Sequence, residues 1–269
     1  MAAISNAWRA PAHFANTLST ILLAVLMLAS TFPSGSFSKD WDGMISRAEN
    51  AAKGGNHQVA IDLYSEIVLQ PFVKKSSDWL AWLFLHRAKS YLALESYGKA
   101  IDDLRKVIEF DDQEPLAFYH YGEALFSQGE YDQAINRFDQ ALKLKPDFIH
   151  ALTDRGSAYA AIGKIDEGFS SYLRALEIAP TFWQAQFGLA VLYREQKKFQ
   201  DALKYLNDAI GQRPENSQFY VLRGQVKVDL GRERAGLRDF QTACELGFRP
   251  SKYYPMDEAT WEELCPSEH

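Results

Sequence analysis

The sequence predicts an all-α chain, a solenoid of about six stacked helical hairpins with a short C-terminal capping segment. Three observations predict it. Pro146, Pro180 and Pro214 stand 34 residues apart, and residue types repeat between them at the same interval. Segments such as Tyr131 to Leu144 place apolar groups three and four residues apart, which gives a helix one buried stripe. Gly129 and Gly163 fall between paired stripes, where a residue free to take positive φ ends the first helix. A single hairpin of this size buries too little surface to stand alone, so stacking stabilises it.

The elements follow in chain order. Residues 1–38 hold one charged side chain, Arg9, followed by the apolar run Ile21 to Ala29, and then Pro33 and Gly35. That pattern predicts an export signal, because a membrane span needs about 20 apolar residues. Ser36 and Ser38 are the favoured cleavage sites; the competing readings are an uncleaved anchor tethering the chain to a membrane and an organelle transit peptide, which the absence of acids allows but a single arginine does not favour. Exported, periplasmic or secreted, is the expected location.

A weaker first repeat, near 41–74, carries Met44, Ala48, Gly55, Ala60, Tyr64 and Ile67. An excess of roughly six residues containing Lys74, Lys75, Ser76 and Ser77 separates it from the next. Repeats at 81–114, 115–148, 149–182, 183–216 and 217–250 are in register. In 115–148 the pattern is Phe118, Tyr121, Gly122, Leu125, Gly129, Tyr131, Ala134, Phe138, Ala141 and Pro146. This resembles the tetratricopeptide repeat (TPR), whose two antiparallel helices carry large apolar residues early, small residues at the crossing and a closing proline. The resemblance covers 41–250 and implies that the all-α solenoid is a right-handed superhelix of about six such hairpins. It departs at Asp112, which replaces the proline, at Gly168 and Gly236, where the family favours Ala, and at Lys227 and Glu233, each expected to weaken local packing.

The tail, 251–269, is expected to cover the last repeat's apolar face, with Asp257 to Leu264 forming a short helix and Tyr253 and Tyr254 packed beside it. A tail that binds partners is the alternative. Cys244 and Cys265 both lie at this end, and in an oxidising compartment a bond between them would contribute about 3 kcal/mol. Otherwise Cys244 is a small buried residue and Cys265 a free thiol.

Composition narrows the function. The net charge is −6 and no basic cluster exceeds Lys74 and Lys75, which disfavours a phosphate-backbone partner, so no nucleic acid is expected. Phosphate loops, nucleophile elbows and H-E-x-x-H are absent from the sequence. With nearly the whole chain after Trp41 used by repeats, an enzyme is not expected, nor a cofactor. His86, His120 and Asp154 share one repeat position, yet adjacent repeats place first helices about 10 Å apart, too wide for one metal ion.

The TPR resemblance implies a concave groove lined by the first helices. Its groove positions fall on Trp82, Leu85, Lys89, Tyr119, Glu123, Phe126, His150, Thr153, Ser157 and Ala160, then Gln184, Phe187, Val191, Gln218, Val221 and Gln225. Exposed aromatics among neutral polar groups suit a bound peptide or helix, although packing between repeats accounts equally for any single one. The co-chaperone carboxylate-holding set is not matched, with Lys89 alone suggestive. The expected function is an exported protein-interaction adaptor within a larger assembly. The alternative is a membrane-tethered structural component acting by self-association, and oligomeric state is left open.

Overall fold

The computed structural model describes residues 41–69, 76–249 and 265. The predicted export signal, its cleavage sites, Lys74, Lys75 and the proposed capping helix lie outside the described residues. Two compact units divide at Gly43, and the second, Met44–His269, carries the fold.

Among the described residues all regular structure is helical. The helices are α1 (Trp41–Lys53), α2 (His57–Val68), α3 (Ser77–Ala93), α4 (Tyr97–Phe110), α5 (Pro115–Ser127) and α6 (Tyr131–Leu144). They continue as α7 (Ile149–Ala161), α8 (Ile165–Ile178), α9 (Trp183–Glu195), α10 (Phe199–Gln212), α11 (Ser217–Asp229) and α12 (Glu233–Glu245). From α3 onward each odd-numbered helix packs on the even one that follows it, and each even helix packs on the next odd one. The odd helices α3, α5, α7, α9 and α11 also touch in succession, so they form one continuous wall. No helix of the described residues is long and apolar enough to cross a membrane.

The turn inside each hairpin is set by one left-handed residue. Gly55, Gly129, Gly163 and Gly231 take φ of 71 to 80°, as the glycine spacing predicts. In the second and fifth repeats the same position is held by Glu95 (φ 55°) and Lys197 (φ 57°), whose Cβ crowds the following carbonyl. Lys197→Gly is therefore expected to raise stability by about 1 kcal/mol, read as a higher urea midpoint with an unchanged slope.

The closing prolines work as read. Helices α6, α8 and α10 stop two residues before Pro146, Pro180 and Pro214. Where Asp112 replaces the proline, the side chain of the preceding Asp111 takes over the turn by accepting from the Gln113 N–H at 2.9 Å. The described part of the early excess is helical or caps a helix. Ser76 caps α3, its hydroxyl accepting from the Trp79 N–H at 3.2 Å, and Ser77 already belongs to that 17-residue helix.

One packing rule recurs through the stack and joins the two helices of a hairpin. Phe138 lies over Gly122, Tyr172 over Gly156 and Phe240 over Gly224, so close that a Cβ on these glycines would sit 2.5 to 2.9 Å from the ring. Where the first position is Ala88 or Ala190, the second is the smaller Leu104 or Leu206. Gly168 and Gly236 also differ from expectation in effect. A Cβ there would meet the carbonyl oxygens of Gly156 at 3.3 Å and Gly224 at 2.8 Å, so these glycines permit close helix approach instead of loosening it. Lys227 finds its place beside Asp239, at 2.6 Å.

A second device was not visible as a pattern. Arg87, Arg155 and Arg223 occupy the same position in alternate repeats and each reaches sixteen residues ahead across its hairpin. Arg87 grips Asp103 with two bonds of 2.7 Å, Arg223 grips Asp239 at 2.9 and 3.0 Å, and Arg155 donates to Ser171 at 3.2 Å. At the C-terminal end Phe240 and Cys244 are buried with Phe248 and Cys265 against them, and the Cα atoms of the two cysteines stand 5.3 Å apart, within bonding range.

Candidate functional site

The wall of odd helices carries the predicted groove residues, but not all of them reach its surface. Leu85, Tyr119 and Thr153 are 6, 8 and 5% exposed, so they belong to the packing and offer no surface to a partner. The reason is local: apolar or aromatic stems at these positions fill the seam between one first helix and the next, and Thr153 turns its hydroxyl back to the Ile149 carbonyl at 2.9 Å. Lys89 and His150 are exposed, whereas Trp82, Glu123, Phe126, Ser157 and Phe187 are half-buried. Of the other groove positions, Val221 is buried at 4%, Gln218 is exposed, and Ala160, Gln184, Val191 and Gln225 are half-buried.

A trough on this wall lies between α7 and α9 and has a volume of about 480 Å³. Thr153, Asp154, Ser157, Ala160 and Ala161 form one bank, Trp183, Gln184, Phe187, Val191 and Glu195 the other, and Tyr172 the floor. Gly188 opens it. The position that holds His86, His120 and Asp154 in earlier repeats has no side chain here, and a Cβ at Gly188 would lie 2.4 Å from the Tyr172 ring. The missing side chain lets Tyr172 extend beneath the wall, where its hydroxyl meets the Ser157 hydroxyl at 2.9 Å. Burial pushes that phenol up to about 12, so it stays protonated at neutral pH. Trp183 and Phe187 are held from behind by the fully buried Phe219, with ring centres 5.4 and 5.3 Å away.

A smaller cavity of about 170 Å³ adjoins, lined by Glu123, Phe126, Ser127, Phe138 and Asp154. Asp154 thus belongs to both. The Tyr119 hydroxyl lies 2.9 Å from Asp154 Oδ2 and 3.0 Å from Glu123 Oε1, while His120 Nδ1 meets the other Glu123 oxygen at 2.5 Å. Burial first, then the neighbouring Glu123, raise the Asp154 carboxyl to about 6, against the lowering effect of the Tyr119 bond. Burial, with the charges of Asp154 and Glu123, also raises the Tyr119 phenol. Toward the first repeats a third cavity of about 300 Å³ is lined by Glu49, Lys53, His57, Tyr64, His86, Lys89 and others.

The three residues sharing a repeat position do not converge. His86 stacks on Trp82, ring centres 4.1 Å apart, and uses Nδ1 on the Trp82 carbonyl, while His120 faces Glu123 and Asp154 faces Tyr119. Among the described residues no group of three such side chains is placed to hold a metal ion. Trp183, Tyr172, Gly188 and Glu195 were missed as groove residues. The available signal was Gly188 itself, a glycine where the preceding repeats carry a polar side chain.

Comparison with known proteins agrees with this architecture. Family models described as tetratricopeptide repeat match residues 83–114, 153–217 and 187–247, and one described as TPR repeat matches 122–163. Human tetratricopeptide repeat protein 13 is 34% identical over 106 residues, covering 39% of this chain and 11% of that protein. Human tetratricopeptide repeat protein 12 is 28% identical over 105 residues, 39% of this chain and 14% of that protein. The chain thus spans only a small part of the curated relatives it matches. Among solved structures, MamA from Desulfovibrio magneticus RS-1 superposes with a TM-score of 0.56 at 21% identity, covering 62% of this chain and 95% of that one. YrrB superposes at 0.50 with 16% identity, covering 62% and 86%. Glycine-set turns, closing prolines, stacked hairpins and these matches agree: the chain carries tetratricopeptide repeats, folded as an all-α solenoid.

Proposed function

We propose that this chain is an exported adaptor or scaffold that holds a peptide or helical segment of another protein in the trough between α7 and α9, within a larger assembly. The observation that carries the reading is the trough itself, a channel of about 480 Å³ that sets polar side chains beside an aromatic bank fixed from behind. Rigid aromatics beside a few polar groups suit capture of a segment by shape and hydrogen bonds. Support by analogy comes from YrrB, a neighbour of this fold described as a TPR protein with an unusual peptide-binding site. Export is supported by the apolar run Ile21 to Ala29 after Arg9, and by two cysteines at bonding distance near the last repeat.

Affinity capture from the native envelope or secretome tests the site. Phe126→Ala with Phe187→Ala is expected to abolish partner recovery while helicity by circular dichroism stays unchanged, since both side chains are half-buried on the wall. Tyr119 is not a suitable target, because its buried ring supports the hairpin. Unchanged recovery removes the trough as the binding site. Fractionation separates a released chain from a membrane-tethered one, and recovery of the unprocessed chain in the cytosol would contradict export.

A further inference from the structure

We propose that the segment bound in this trough carries a lysine or arginine seated on Asp154, with an apolar residue beside it against Phe187. The proposal rests on the peptide-binding reading above and names the chemistry of its partner.

Two observations lead to it. The two adjoining cavities that share Asp154 are lined by three carboxylates, Glu123, Asp154 and Glu195, and by no lysine or arginine among the described residues. Charge complementarity therefore selects a cation, and the same carboxylates repel a nucleic-acid backbone. The second observation is a missing proton. The Tyr119 hydroxyl carries one hydrogen but lies at bonding distance from oxygens of both Asp154 and Glu123, so one of these contacts lacks a donor. The His120 contact is with the other Glu123 oxygen and does not fill that gap. A proton on Asp154 or Glu123, or a positive group from outside, completes the cluster.

The geometry fits a side chain on a peptide. Phe126 flanks Asp154 on one side and Phe187 stands across the trough, which accommodates an aliphatic stem and a cation over an aromatic face. Proton and cation then compete for one carboxylate. With Asp154 raised to about 6, it is largely ionised at pH 7.5 and largely protonated at pH 5, so ligand binding weakens as pH falls. The groups facing it are Tyr119, Glu123 and His120 from α5 and Tyr172 from α8, with Glu195 of α9 across the trough.

A random decapeptide display library panned on the full chain, followed by fluorescence anisotropy of the selected peptides, tests this. Selected peptides are expected to pair a lysine or arginine with an aliphatic or aromatic residue. Replacing that basic residue by glutamine is expected to weaken binding about tenfold at pH 7.5 on the unaltered protein, and less than twofold on Asp154→Asn. Lowering the pH to 5 is expected to weaken binding about fivefold on the unaltered protein but not on Asp154→Asn, which keeps His120 and so controls for it. Asp154→Asn keeps an acceptor for Tyr119, and circular dichroism checks its fold. Glu195→Gln, outside the Tyr119 cluster, is the second variant, expected to weaken basic peptides about threefold. Peptides that bind through Phe187 but show no basic preference would overturn the proposal and leave the groove reading intact. Failure to select any peptide sensitive to Phe187→Ala would remove both.

Discussion

Phe138→Ala is expected to destabilise the protein by about 3–5 kcal/mol, the usual cost of emptying a fully buried aromatic site. The ring is 0% exposed, lies directly over Gly122, and is in the third hairpin, near the middle of the stack. Each hairpin touches only its neighbours, so a loss here should uncouple the two halves of the array. Urea unfolding should change from one transition to two. A companion experiment tests the ring-over-glycine rule. Gly122→Ala alone would place its Cβ 2.5 Å from the Phe138 ring and is expected to cost about 1–3 kcal/mol. Adding Phe138→Leu should recover part of that loss, because the chain already pairs Ala88 with Leu104 and Ala190 with Leu206. A double variant no better than the sum of the singles would show that the two positions are not coupled.

The second large effect is expected at Asp103. This carboxylate is 3% exposed and receives two 2.7 Å bonds from Arg87, whose remaining arm donates to Ser65 at 3.0 Å. Arg87 also sits 5.3 Å from the Phe84 ring centre, so its guanidinium is enclosed on several sides. Asp103→Ala strands that cation and is expected to cost about 3–5 kcal/mol, whereas Arg87→Met with Asp103→Leu removes both charges and should recover most of it. Hydrogen exchange should place the damage in α1 to α4 and leave α9 to α12 protected, because the interaction links α4 to α2 and α3 only. Equal loss of protection along the whole chain would contradict nearest-neighbour stacking. The corresponding grip of Arg223 on Asp239, with Lys227 at 2.6 Å, makes the distal end an independent second test.

Much of the groove wall was legible because its positions follow the repeat. Phe126, Ser157 and Phe187 line or edge the cavities at the positions that the TPR resemblance implied. Leu85, Tyr119 and Thr153 were placed on the correct helices but on the wrong side of the surface, because spacing locates a side chain around a helix to within a neighbour or so. Whether that neighbour is inside or outside depends on how closely the next hairpin approaches. Asp154 shows the same limit: its repeat position grouped it with two histidines, while its actual partners are Tyr119 and, through that hydroxyl, Glu123, both from the preceding repeat.

What the sequence by itself determined is the order and type of the elements. Apolar period, a left-handed turn residue and a closing proline are local signals, each acting within one hairpin, and they set helix starts and stops without knowledge of the stack. Even there, Glu95 and Lys197 show a turn holding where its preferred residue is absent. Only the tertiary structure decided where the trough opens, which carboxylates meet the Tyr119 hydroxyl and which arginines are enclosed. These depend on contacts between residues 16 to 35 positions apart, such as Arg87 with Asp103 and Tyr119 with Asp154. Their distances are set by how one hairpin seats on the next, and the volume of single side chains, as at Gly188, fixes that seating.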